Sequence, residues 1–299
     1  MKIGIAGTGR MGTAIALRLL DKGHSVTVWN RTPEKTRTAA DAGALVAATP
    51  AALARTSEKV ISMLTNSAAM QAVYLGNDGL LSGNVARKLF VEMSTVRGSE
   101  HRALAPKVEA KGALLLECPV SGTVKPARDG TLFGFAAGTQ EAFSEAQPLL
   151  EQLCRRVELI GAMGAGANMK LAVNLLLTVF WQSLAEACSL MHDVQIEPER
   201  LIDWFADANI GSPILKARGA AVTAALEGKP GDPATFDIDF MRKDLREGLQ
   251  DAEAVGASVP IAARTLSCFD EVSRAGDGKI DGTQYPAWWF KHARQAEHA

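Results

Sequence analysis

Several function classes are excluded by what this chain has little of. The 299 residues hold four cysteines, and Cys118, Cys154, Cys188 and Cys268 lie far apart with no CxxC pair. They read as small buried residues in a reducing, cytoplasmic setting rather than as a disulfide or zinc framework. Five histidines, His24, His101, His192, His292 and His298, show no ligand spacing, so no metal is expected. Lys+Arg 32 against Asp+Glu 33 leaves a net charge of −1, which excludes a basic DNA-wrapping chain and gives no reason to expect a nucleic-acid partner. The longest apolar stretch, Leu171 to Trp181, is broken by Asn174 and Thr178 and falls short of the ~18–20 residues of a bilayer span. No membrane partner is expected. Met1-Lys2 leads straight into Ile3-Gly4-Ile5-Ala6, without the parts of an export signal.

What is present is the profile of a soluble globular chain, 47% hydrophobic and 22% charged, and its length is near twice a common domain size of roughly 150 residues. Apolar runs suited to buried strands recur at Lys2–Ala6, Ser25–Trp29, Lys59–Met63, Leu89–Glu92, Leu114–Cys118 and Val157–Ile160, with helical stretches between most of them. This alternation predicts a parallel sheet covered on both faces, a doubly wound α/β domain of the Rossmann type. A turn at Asp129-Gly130 precedes Thr131–Ala136, read as a strand added at the sheet edge. From Gly166 the pattern is helical: a long apolar segment to about Val194, then starts at Pro198 and near Pro213, and another helix over Asp237–Val255. The predicted domains are 1–162, α/β, and 163–299, all-α, linked by a long interdomain helix. The second Gly cluster, Gly161–Gly166, reads as a hinge and helix cap.

Gly7-Thr8-Gly9-Arg10-Met11-Gly12 is a GxGxxG placed after a strand and opening a helical run. The first Gly permits the tight turn, the second lets the backbone approach a pyrophosphate, and the third lets helix and strand pack closely. Free N–H groups and the positive end of the dipole then face the phosphates. The end of the second strand bears on the choice of nicotinamide cofactor. An acid there would bond a ribose 2′-hydroxyl, but the residues are Trp29-Asn30-Arg31-Thr32, with the first acid delayed to Glu34. Arg31 can pair with a 2′-phosphate, and Asn30 and Thr32 can donate to it. The expected cofactor is NADP(H).

Lys170, Asn174, Thr178 and Gln182 recur every four residues on one ridge of an otherwise apolar helix. A buried ammonium must meet an anion or lose its proton. Ser121-Gly122-Thr123 follows a strand at the edge where open α/β sheets bind ligands, and its hydroxyl and backbone N–H groups make a receptor for a carboxylate.

Together with Asn30–Lys35, Glu92-Met93-Ser94-Thr95, Pro119–Thr123, Gly161…Gly166…Lys170…Asn174 and Lys243-Asp244, the Gly-rich motif resembles the β-hydroxyacid dehydrogenase family over nearly the whole chain. Thr8, Thr123, Leu175 and Gly98 depart from its commoner residues. The resemblance implies hydride exchange between NADP(H) and a short hydroxy acid or its aldehyde or semialdehyde, with Lys170 as general acid/base. It implies that Asn174 and Ser121 complete the catalytic set, and that Ser121, Gly122, Thr123, Asn174 and Phe240 hold the substrate. Met63, Leu64, Thr95 and Lys243 would approach the cofactor beside the Gly-rich loop, and Asp244 would order its neighbours. An imine reductase of the same architecture, or a non-catalytic NADP-binding sensor or scaffold, are the alternatives; Lys170 argues against the first, and the intact set Lys170, Asn174 and Ser121 against the second. The length of the apolar helix predicts that the α-half pairs with another subunit, as a homodimer or homotetramer. Asp277–Asp281 lacks calcium-loop ligands at the flanking positions, and Trp288-Trp289-Phe290 reads as packing on its own domain or on another subunit.

Overall fold

The computed structural model describes residues 1–208 and 212–292; His298 lies outside them. Two compact units are formed, Met1–Leu171 and Ala172–Ala299. The first runs β1 (Lys2–Ala6), α1 (Arg10–Asp21), β2 (Ser25–Trp29), α2 (Arg37–Asp41), β3 (Leu45–Val46), α3 (Pro50–Thr56), β4 (Lys59–Ser62), α4 (Ser67–Leu75), β5 (Leu89–Glu92) and α5 (Gly98–Glu109). It continues through β6 (Leu114–Glu117), β7 (Val120–Ser121), α6 (Val124–Asp129), β8 (Leu132–Gly138), α7 (Gln140–Leu150) and β9 (Cys154–Gly161).

The strands form one sheet in the order β3-β2-β1-β4-β5-β6-β8-β7, with β9 on β8. From β3 to β6 every pairing is parallel. Successive side chains of a strand point to opposite faces, and here they feed two separate cores. Ile3, Ile5, Ile61, Val91 and Leu116 enter one, while Ala6, Val60, Phe90 and Leu115 enter the other. Burial on both faces explains why these strands read as continuous apolar runs.

Three features differ from the sequence reading. The run expected at the sheet edge, β8, is interior: it pairs antiparallel with β6 and β7 and parallel with β9. The exposed edge falls to β9, whose residues after Cys154 are all at least partly exposed. The pairs β3 and β7 escaped notice because two residues carry no periodicity. The register Glu117↔Ala137 and Ala137↔Gly161 brings the chain, at the end of the sheet, back to the rung of Glu117.

One helix, α8 (Ala165–Leu190), begins in the first unit and continues in the second. The stretch Leu171–Trp181, interrupted by Asn174 and Thr178, is only its middle part. As a 26-residue helix it is long and apolar enough to cross a membrane by length and composition, yet Trp181, Leu184, Ala185 and Cys188 are used in the core of the second unit. It ends at Leu190 rather than Val194. The second unit adds α9 (Pro198–Asp207), α10 (Pro213–Leu226), α11 (Ile238–Ala254), α12 (Pro260–Arg274) and α13 (Tyr285–His292). Proline opens α9, α10 and α12, where its missing N–H costs nothing, and the Asp237 side chain caps α11. Ile202, Val222, Met241, Phe269 and Tyr285 fill the core, and Trp288, Trp289 and Phe290 pack against it. All four cysteines are free and buried.

Candidate active site

Each glycine of the first turn has its own reason. Gly7 has φ +101°, and a Cβ there would lie 2.3 Å from the Met63 carbonyl oxygen; one on Gly12 would lie 1.9 Å from the Gly7 carbonyl oxygen. The chain's own packing therefore demands both. A Cβ on Gly9 would meet nothing within 4 Å. No contact within the chain requires a glycine there, whereas a pyrophosphate lying against the backbone does, so the loop fits a dinucleotide. Gly9 also caps α1 without a side-chain hydrogen bond, leaving that helix end suited to an anion. Within the motif Arg10 is exposed and Met11 half-buried. Thr8 is buried, and its hydroxyl has no hydrogen-bond partner among the described residues.

Gly7, Gly9, Asn30, Arg31, Thr32, Met63 and Leu64 line one groove of about 310 Å³ in the first unit. Trp29, Pro50, Ala69, Ala72 and Val73 supply apolar wall, and Lys35 and Asp78 add one charge of each sign. Lys35, which sequence reasoning missed, lies in the 3₁₀ turn Pro33–Thr36, so its signal was the short spacing from Arg31. Asn30 has a structural role as well. Its Oδ1 accepts the Thr8 N–H at 3.1 Å and its Nδ2 donates to the Thr32 carbonyl at 2.9 Å. The side chain thus staples the end of β2 to the Gly-rich loop, and the exposed Arg31 and Lys35 are left as the groove's cations.

Beside this groove, Ser62, Glu92 and Glu117 end three adjacent strands in register, and all are fully buried. The Ser62 hydroxyl donates to Glu92 Oε2, and Ser62 Oγ is 2.7 Å from the Tyr74 hydroxyl. Glu92 Oε1 accepts the Ser94 N–H, and Ser94 Oγ accepts the Leu64 N–H, each at 2.7 Å. Burial raises the Glu92 pKa, against the opposing pull of His101 and its hydrogen bonds to Ser62 and Ser94. The network ties the Met63-Leu64 wall of the groove to the loop carrying half-buried Thr95. Sequence reasoning did not find it, because a lone acid at a strand end carries no pattern.

Ser121 belongs to β7, opposite Phe133, rather than to a free turn. Gly122 follows at φ +128°, a conformation that a side chain resists, and Thr123 caps α6. Ser121 and Thr123 are half-buried and Gly122 is exposed.

The polar ridge of α8 is buried: Lys170 is 8% exposed, Asn174 4%, Thr178 0% and Gln182 5%. Its members have partners, as such groups must. Asn174 Nδ2 donates to Asp244 Oδ2 at 2.6 Å, and Lys243 Nζ lies 3.0 Å from Asp244 Oδ1, so the second unit brings Asn174, Lys243 and Asp244 together. The Thr178 hydroxyl donates to the Asn174 and Leu175 carbonyls. Gln182 accepts the Tyr285 hydroxyl and donates to Glu186. Phe240 is half-buried one turn before Lys243, with the Lys279 amine 5.9 Å from its ring centre.

Residues 2–161 match a family model described as the NAD binding domain of 6-phosphogluconate dehydrogenase. Residues 164–288 match one described as NAD-binding of NADP-dependent 3-hydroxyisobutyrate dehydrogenase. The chain is 31% identical to glyoxylate/succinic semialdehyde reductase 1 of Arabidopsis thaliana, over 94% of this chain and 96% of that one. It is 32% identical to 3-hydroxyisobutyrate dehydrogenase of Pseudomonas aeruginosa, over 95% of each. A solved structure described as Psf3 in complex with NADP+ and 2-OPP superposes with a TM-score of 0.84 at 28% identity, covering 96% of this chain and 99% of that one. With both halves matched in order, a dinucleotide groove, and relatives of this length and kind, the chain belongs to the β-hydroxyacid dehydrogenase family, nicotinamide-dependent oxidoreductases acting on a CH–OH group.

Proposed function

We propose that the protein is an NADP(H)-dependent dehydrogenase interconverting a short carboxylate-bearing aldehyde or semialdehyde and its hydroxy acid, with Lys170 as the general acid/base. The observation that carries this reading is buried Lys170 on the same ridge of α8 as buried Asn174. A lysine side chain largely withdrawn from water is placed at a cost that a proton-transfer role accounts for. When bound, the reduced nicotinamide supplies hydride to the carbonyl carbon. Lys170 then gives a proton to the carbonyl oxygen, and in oxidation takes it from the hydroxyl. The Ser121 hydroxyl and the backbone N–H groups of Gly122 and Thr123 receive the substrate carboxylate. Asn174, oriented by Asp244, adds a donor. Arg31, Thr32 and Lys35 favour a 2′-phosphate, and the relatives' names supply the substrate class.

The same reading includes a homodimer or homotetramer formed through the second unit, where Leu190 is 85% exposed, Trp204 68% and Ile261 68%. Large apolar side chains left in water are the residues that an association surface would cover.

The test is NADPH oxidation with glyoxylate, succinic semialdehyde, tartronate semialdehyde, methylmalonate semialdehyde and a cyclic imine. Turnover with one of the acids and none with the imine is expected. Lys170→Ala should lower kcat by about 10²–10⁴-fold while NADPH affinity is retained; a variant with full turnover would remove the acid/base assignment.

A further inference from the structure

An amine that hands a proton to a reacting oxygen has to be held in place, and the turn that carries it needs an anchor of its own. The helix opens in Gly164-Ala165-Gly166, two of the three without a Cβ. One such anchor comes from 47 residues upstream of Gly164. Glu117, the last residue of β6, accepts three backbone N–H groups on one oxygen, Oε1: Gly164 at 2.9 Å, Gly166 at 2.7 Å and Ala167 at 3.3 Å. Those are the donors that a helix start leaves without partners. Its other oxygen lies 2.9 Å from His101 Nδ1, both side chains being fully buried. Gly166 fits the same clamp, because a Cβ there would lie 2.2 Å from the Phe135 carbonyl oxygen and 3.0 Å from Glu117 Oε1. Lys170 stands four residues after Gly166, one turn further along the same face.

We propose that Glu117 is a positioning residue for the reaction: by fastening the opening turn of α8 to the end of β6, it sets where the Lys170 amine is held. The proposal rests on the acid/base reading of Lys170. Helix stability alone would be served by a local serine, threonine or aspartate cap. A fully buried carboxylate is a costlier device, and it does what a local cap cannot, locking the helix origin to the sheet rung where Glu92 and Ser62 govern the cofactor loops. Misplacement of a reacting group by about 1 Å can cost on the order of 10²-fold in rate.

The experiment is a double-mutant cycle. Glu117→Gln and Glu117→Asp are made alone and in the Lys170→Ala background, with kcat, KM, NADPH affinity by nicotinamide fluorescence, and melting temperature measured for each. Glu117→Gln is expected to lower kcat about tenfold or more, with NADPH affinity within about threefold of the parent. In the Lys170→Ala background the same change should alter the residual rate less than about twofold, since the group being positioned is gone. Equal losses in both backgrounds overturn the proposal, marking Glu117 as packing only. Unchanged kcat in both Glu117 variants overturns it as well. Should Lys170→Ala alone keep full turnover, the acid/base reading fails and the positioning role falls with it, a result separable from any behaviour of Glu117. If Glu117→Gln does not fold, Glu117→Asp, which keeps the charge and withdraws it by one methylene, carries the same cycle.

Discussion

Among the described residues, Arg31 and Lys35 are the cations that line the groove, with one acid, Asp78, so the cofactor preference turns on few charges. A charge-assisted hydrogen bond contributes about 1.5–3 kcal/mol, and exposure reduces that to the lower end. Arg31→Ala is therefore expected to raise KM for NADPH about tenfold and leave KM for NADH nearly unchanged; equal effects on the two would exclude a 2′-phosphate contact. Asp281 shows a different use of an acid. Burial by itself would raise its pKa, but N–H groups of Thr283, Thr235 and Phe236 together with Arg218 hold it below the usual value. Its folded pKa lies below its unfolded one, so its stabilisation is complete above about pH 4 and is lost as the pH falls through the depressed value. Asp281→Asn should melt several degrees lower at pH 7, and the gap to the parent should narrow as the pH falls below about 4; a gap that stays constant as the pH is lowered would contradict the linkage. Among single residues, legibility followed local pattern. Gly7, Gly9 and Gly12 were readable because a turn needs them within six positions, and Lys170 and Asn174 because a helix puts them on one ridge. Glu92 and Glu117 meet through the sheet register, and His101 reaches Glu117 from α5, neither of which a linear pattern carries.

At the scale of elements, β1 and α1 with the turn between them make the clearest test of what belongs to the fold and what to the ligand. Gly12→Ala drives a Cβ against the Gly7 carbonyl oxygen and should lower the melting temperature of the free protein. Gly9→Ala meets no other described residue within 4 Å beyond its chain neighbours and should leave that temperature unchanged while weakening NADPH binding at least tenfold, about 1.4 kcal/mol. Thermal melts with and without cofactor separate the two, and similar destabilisation by both would refute the division. The parallel strands were legible as apolar runs because both of their faces are covered. The interior place of β8 was not, since a neighbour is decided by pairing with β6 and β9, and α12 gave little signal beyond its opening proline.

For the whole molecule, the change from alternating strands and helices to helices alone near Gly161–Gly166 was visible in the sequence, and the family models change over at the same place, between residues 161 and 164. The compact units divide later, after Leu171, because the first turns of α8 remain fastened to the sheet. Self-association belongs to this scale. Sedimentation at micromolar concentration should give a dimer or tetramer, and Leu190→Glu with Trp204→Glu should shift it toward monomer; a parent that sediments as a monomer would end that reading.

The three amides gathered by one oxygen of Glu117 also say where this chain can be recombined with its relatives. A chimera joined at residues 161–164, where the family halves meet, would separate that carboxylate from the backbone it grips and leave the crossover dependent on whatever the other parent happens to offer. A junction placed after Leu171 inherits acid, amides and amine from a single ancestor.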